Sequence, residues 1–172
     1  TLDCYVDADF AGLYMREPSD SPTSVKSRTG YVIMLGNVPL IWKSVLNSSI
    51  SMCTQEAEYH ALSLSMRALL PLRELIVEIL DALDVPSEVH MSFRCRAFED
   101  NNGALLLATN QRITNRTKYY CVKWHWFWSH VNDKEKNISI VKVDTLQQRA
   151  DYLTKGLTRE NFERIRKLVQ GW

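Results

Sequence analysis

Apolar and polar residues alternate from Leu2 to Phe10, with Leu2, Cys4 and Val6 on one side and Asp3, Tyr5 and Asp7 on the other. That period of two predicts a strand. Glu17 to Ser24, with two prolines among serines, reads as a surface loop. Tyr31–Leu35 and Val38–Ser44 form a predicted hairpin about the Gly36-Asn37 turn. The period then changes. Ala57, Ala61, Leu62, Leu69, Leu72, Leu75, Ile76, Ile79 and Leu83 recur at helical spacing, with Ser51 or Thr54 as cap. Pro71 should kink or interrupt this helix, and Asp84-Val85-Pro86 should end it. Val89–Phe98 reads as a fourth strand, Gly103–Thr109 as a short helix and Asn110–Thr114 as a loop. Thr117–Val131 reads as an aromatic-rich helix, followed by a turn at Asn132-Asp133-Lys134. Ile138–Val143 alternates as a fifth strand, and helices are expected at Leu146–Thr154 and Arg159–Val169. Without internal repeat or interior linker, this order predicts a single α/β layer fold on a mixed sheet.

Composition narrows the picture. Of 172 residues, 45% are hydrophobic and 24% charged, enough to bury a sizeable core and too apolar for disorder. The longest apolar runs stop well short of a membrane span. Net charge is +1, so a nucleic-acid partner would have to be held by a local patch. Cys4, Cys53, Cys95 and Cys121 form no CxxC pair, and we expect reduced, mostly buried thiols of an intracellular protein. The chain begins at Thr1, without Met or a basic apolar leader, so we expect a fragment of something longer.

Four acids stand at element ends: Asp7, Glu58, Asp100 and Asp151. Asp7, Glu58 and Asp151 sit among small or apolar neighbours, where an isolated carboxylate is costly to bury. Converging carboxylates repel unless a cation lies among them, and hard divalent ions with oxygen ligands would resolve the conflict. A chain with 20 acidic residues also places four at element ends by chance, and by pattern alone that reading has the edge.

Six motifs in order change the balance: Tyr5-Val-Asp-Ala-Asp-Phe-Ala-Gly12, Ser27-Arg-Thr-Gly-Tyr31, Gln55-Glu-Ala-Glu-Tyr-His-Ala-Leu62, Glu99-Asp-Asn-Asn-Gly-Ala104, Asn115-Arg-Thr-Lys118 and Gln148-Arg-Ala-Asp-Tyr-Leu-Thr-Lys-Gly-Leu157. Together they resemble the ribonuclease H domain of copia-type (Pseudoviridae) retrotransposons, over nearly the whole chain. The resemblance implies a ribonuclease H-like fold, with a five-stranded mixed sheet flanked by helices. It implies one domain, 1–172, cut from a longer reverse transcriptase polyprotein. It also implies a metal set of Asp7, Glu58, Asp100 and Asp151 holding two Mg²⁺ ions, with Mn²⁺ able to substitute. In such enzymes two metals about 3.5–4 Å apart activate a water and stabilise the leaving alkoxide. By resemblance, Asp7 bridges the ions, Glu58 and Asp100 complete the one nearer the leaving group, and Asp151 holds the one nearer the water. Asp9 reads as a solvated strand end, Glu56 points away along the helix, and Glu99 should face opposite Asp100.

The implied substrate is RNA paired to DNA, and the implied partner is the reverse transcriptase domain of the same polyprotein, with no membrane. The implied location is intracellular, in a cytoplasmic virus-like particle or the nucleus. A-form-like duplexes are read across the minor groove. Asn101 and Asn102 are placed to approach it, one of them also serving as a helix cap. Arg112, Arg116, Lys118 and Lys123 form a basic patch beside aromatics, of which Trp124, Phe127 and Trp128 fall on one core-facing stripe. Arg28 and Lys43 are further phosphate candidates on the hairpin. Two departures stand out. Tyr119 and Cys121 occupy positions where the family often has His and Asp, and no His lies between Asp144 and Ala150. The competing readings are a non-catalytic module of the same fold that binds hybrid or a partner chain, and another nuclease of the superfold. Retention of all four carboxylates favours the hydrolase.

Overall fold

The computed structural model describes the chain except Ser19, Gln111, Arg112, Asn132, Lys134 and Glu135. Strands β1 (Leu2–Asp9), β2 (Arg28–Leu35), β3 (Val38–Leu46), β4 (Cys95–Glu99) and β5 (Ile138–Lys142) form one sheet in the order β3-β2-β1-β4-β5. The β1–β2 and β2–β3 pairs are antiparallel, whereas β1–β4 and β4–β5 are parallel. This is the five-stranded mixed sheet of a ribonuclease H-like fold.

Helices are α1 (Thr54–Ala82), α2 (Ser87–Ser92), α3 (Asn102–Thr109), α4 (Lys118–Trp124), α5 (Trp128–Val131) and α6 (Arg159–Gln170). Alternation in β1 works as the sequence suggests. Leu2, Cys4 and Val6 join Ala57, Leu62, Met66 and Leu69 of α1 in the larger core. Tyr5 faces the other side, where Val32 and Met34 meet Ile165 and Val169 of α6. With both faces covered, β1 is buried from Leu2 to Ala8.

Five expectations need correction. Helix α1 is capped by Cys53 without a side-chain bond, not by Ser51 or Thr54. Helix α1 passes through Pro71 without a break, because Leu69, Leu70, Leu72 and Ile76 on either side all pack on the core. The expected strand over Val89–Phe98 is α2 followed by the shorter β4; its apparent alternation came from Val89 and Met91, which are exposed. The expected helix over Thr117–Val131 is α4, a 3₁₀ turn at His125–Phe127, and α5. The expected helix at Leu146–Thr154 is two single 3₁₀ turns, Thr145–Gln147 and Asp151–Leu153. Arg112 and the ends of the expected turn at 132–134 lie outside the described residues.

Candidate active site

The β1–β4 ladder ends at the Tyr5–Phe98 pair, and beyond it the two strands no longer bond each other. Gln148 fills the gap. Fully buried, its Nε2 donates to Val6 O at 2.7 Å, and its Oε1 accepts from Ala150 N at 3.3 Å. One amide thus satisfies an orphaned strand carbonyl and anchors the turn carrying Asp151. The turn also needs Gly30, which pairs with Asp7 across β1–β2. A Cβ at Gly30 would lie 2.6 Å from Thr154 Cγ2 and 2.8 Å from Leu153 Cβ. Thr154 in turn donates from Oγ1 to Asp7.

Four sequence-expected acids meet at this end of the sheet. Asp7, Asp100 and Asp151 each offer an oxygen within 4.8 Å of the others. Glu58, from the first turns of α1, is within the same span of Asp100 and of a fifth acid, Glu99. Asp100 is therefore the carboxylate common to both groups, where Asp7 was expected to be shared. Glu99 is a second correction. It lies on the buried side of β4 with Cys95 and Ala97, beneath α1, and reaches Asp100 because the strand and its alternation end at Glu99. Asp9 and Glu56 belong to neither group. Glu56 instead accepts from Met52 N at 2.8 Å and tethers the start of α1.

The electrostatics are those of crowded, buried acids. Burial pushes the Asp7 carboxyl up to about 6, against the pull of Lys155 and the Thr154 hydroxyl. Burial, then the neighbouring Glu99, raises Glu58 well above the usual carboxylate range. Burial lifts Glu99 to about 8, opposed by the Asn101 N–H that donates to its Oε1 at 2.9 Å. Glu58 Oε2 and Glu99 Oε2 are buried without a partner. Lys155 is the compensating cation: its Nζ is 3.0 Å from Asp151 and 3.5 Å from Asp7. Burial disfavours its charge, yet the two aspartates raise its pKa. An all-oxygen set with orphaned buried acceptors fits a hard divalent ion.

The expected nucleic-acid contacts separate. Asn101 is the cap of α3, its Oδ1 accepting from Ala104 N at 3.0 Å, while Asn102 is exposed beside it. Arg116, Lys118 and Lys123 are exposed, and the Lys123 ammonium lies 4.5 Å from the Trp124 ring centre. Phe127 is fully buried, and Trp124 packs on the core from a partly buried position. Arg28 donates to Ser44 Oγ at 3.3 Å, and Lys43 is exposed on β3. Cys121 is a buried free thiol and Tyr119 is exposed, so neither joins the carboxylates. Sequence reasoning missed Gln148, Lys155 and Glu99. All three lie inside motifs already singled out, but no periodicity marks them.

No protein-family model matches the chain. It is 29% identical over 165 residues to the Retrovirus-related Pol polyprotein from transposon TNT 1-94 of Nicotiana tabacum, covering 96% of this chain and 11% of that protein. The chain thus spans about a tenth of the length of the curated relatives it matches. Among solved structures, RNase H1 from Halobacterium salinarum NRC-1 superposes with a TM-score of 0.56 at 16% identity, over 89% of this chain and 93% of that one. LC11-RNase H1 in complex with RNA/DNA hybrid superposes with a TM-score of 0.54 at 16% identity, over 90% and 94%. No helix among the described residues is long and apolar enough to cross a membrane. The chain is a ribonuclease H-fold relative of the Pol polyproteins of copia-type plant retrotransposons.

Proposed function

We propose that this domain is a divalent-metal-dependent endoribonuclease that hydrolyses the RNA strand of RNA–DNA hybrids. The observation that carries the reading is the convergence of Asp7, Glu58, Asp100 and Asp151 at one end of the sheet, with buried acceptor oxygens left unpartnered. Buried acids gathered in this way repel one another, and Lys155 pairs with Asp7 and Asp151 but not with Glu58 or Glu99. Asp7, Asp100 and Asp151 would hold one Mg²⁺ or Mn²⁺, and Glu58 and Asp100, with Glu99, would hold a second. When bound, such a pair supplies an activated water and neutralises charge on the phosphate and the leaving oxygen.

The chain's own residues do the positioning. Strand β1 and the Thr154 hydroxyl fix the Asp7 carboxylate. Gln148 and Gly30 fix the turn that bears Asp151. Thr145 Oγ1, donating at 2.9 Å, holds Asp100 Oδ2. Lys155 balances the charge of Asp7 and Asp151 before a cation arrives. Asn102, Arg116, Lys118, Lys123, Arg28 and Lys43 are exposed or half-exposed and would track the duplex backbone. The relationship to Pol polyproteins supports a role in reverse transcription beside a reverse transcriptase domain, within a virus-like particle or the nucleus. A fold neighbour solved with an RNA/DNA hybrid supports the choice of substrate. Cleavage of labelled hybrid in Mg²⁺, compared with duplex RNA and duplex DNA, tests the reading.

A further inference from the structure

On the β3 side of α1, a cavity of about 260 Å³ is lined by Lys43, Asn47, His60, Ser63, Arg67 and Trp124, among others, and by no carboxylate among the described residues. Its floor is polar and buried. Asn47 is 3% exposed, His60 6% and Ser63 0%. The Asn47 amide is oriented by its Oδ1, which accepts from Thr29 Oγ1 at 2.8 Å, and its Nδ2 is buried without a partner. His60 stacks on Trp124 with ring centres 3.9 Å apart, and its Nδ1 is likewise unpartnered. Ser63 Oγ accepts the Trp126 indole N–H at 2.8 Å, which leaves its own proton to give. A buried donor left unsatisfied costs about 1–3 kcal/mol, so such groups usually have a partner. Lys43 and Arg67 line the cavity from exposed positions, and the Lys123 ammonium lies 4.5 Å from the Trp124 ring centre.

We propose that this cavity is a phosphate-binding subsite that takes one backbone phosphodiester of the nucleic acid. A phosphodiester offers only acceptor oxygens and one negative charge. The cavity offers the unpartnered Asn47 amide N–H, the Ser63 hydroxyl, two cationic side chains and, among the described residues, no competing acid. The placement fits a strand passing the carboxylates. Arg67 is nine residues beyond Glu58 on α1, about 13.5 Å along the axis at 1.5 Å per residue. That is about four nucleotide steps at roughly 3.4 Å each. The proposal rests on the nuclease reading for its ligand, and free phosphate shares the same chemistry.

The experiment follows the Asn47 side-chain amide and the Trp124 and Trp126 indole resonances by NMR. Inorganic phosphate is added in one arm, and an RNA–DNA hybrid with Ca²⁺ in place of Mg²⁺ in the other. We expect the hybrid to move all three, and phosphate to move them weakly. The double variant Lys43→Gln/Arg67→Gln, at two exposed positions, should raise the hybrid Kd about tenfold and flatten the salt slope by one to two units. Asn47→Asp keeps the Thr29 bond, puts a carboxylate in the cavity and should weaken binding further. Hybrid that binds with those resonances still and the salt slope unchanged overturns the subsite and leaves the nuclease reading standing. If hybrid does not bind at all, the nuclease reading fails instead. The phosphate arm then decides the cavity: movement of Asn47 supports a phosphate site, and its absence overturns it.

Discussion

Gly30 stands directly opposite Asp7 in the β1–β2 register, and the space where its side chain would be is filled by Thr154 and Leu153. The strand bearing Asp7, its neighbour and the turn bearing Asp151 are thereby locked together at one glycine. Gly30→Ala should push the turn away and cost about 1–3 kcal/mol of stability, the usual range for overpacking. Hybrid cleavage should fall more steeply than stability, because Asp151 moves with the turn. Thermal melting and single-turnover cleavage measured together check this. Full activity in a folded Gly30→Ala protein would contradict it.

Asp7→Asn should abolish cleavage without unfolding the chain. Burial already disfavours the Asp7 charge, and Asp151 and Asp100 add repulsion. The metal-free variant should therefore melt at the same temperature as the parent or higher. Activity within tenfold of the parent, a barrier change of only about 1.4 kcal/mol, would remove Asp7 from its role.

Lys155→Gln should act in opposite directions with and without metal. The ammonium offsets Asp7 and Asp151 in the free protein, so its loss should lower the metal-free melting temperature. The more negative pocket should then reach half-maximal stabilisation at a lower Mg²⁺ concentration than the parent. A Mg²⁺ titration of melting temperature reads both effects. An unchanged midpoint would show that Lys155 does not share the cation site.

Stability of the metal-free protein should fall as pH rises from about 5 to about 8. Burial moves the Glu99 carboxyl from 4.5 to about 8, and Glu58 shifts the same way. Across that window the folded chain keeps a proton that the unfolded chain has released. Folding is thus favoured at the acid end and loses that advantage as pH climbs, levelling above about 8. Glu99→Gln should flatten the decline, and Mg²⁺ should oppose it. Melting temperatures that rise from pH 5 to pH 8 without metal would contradict the burial of these acids.

The strands were legible where alternation and burial coincide. β1 could be read because both faces are covered and its two sets of side chains enter different cores, which also placed Asp7 at its end. Glu58 was legible from its place in the first turns of the predicted helix together with the resemblance, which singled it out from Glu56. The rule held for Glu99, which is buried with Cys95 and Ala97, but it could not place Asp100, since alternation says nothing about a side chain beyond the last ladder pair. Residues 87–92 misled because Val89 and Met91 mimic a strand while lying exposed on a short helix. Gln148 and Lys155 left no pattern: each acts through a partner remote in sequence, Val6 or Asp7, and only the fold brings those together. Asn101 could be narrowed only to one of two neighbours, because either amide could have capped α3.

The most direct test of the central claim is single-turnover cleavage of an RNA–DNA hybrid labelled on the RNA strand, run in Mg²⁺ and in EDTA. Duplex RNA, duplex DNA and the Asp7→Asn protein serve as parallel reactions. We expect internal cuts in the RNA of the hybrid alone, present with Mg²⁺, absent with EDTA and absent from Asp7→Asn. Hybrid left intact by the folded parent protein in Mg²⁺ and in Mn²⁺, or cut equally well in EDTA, would contradict the account.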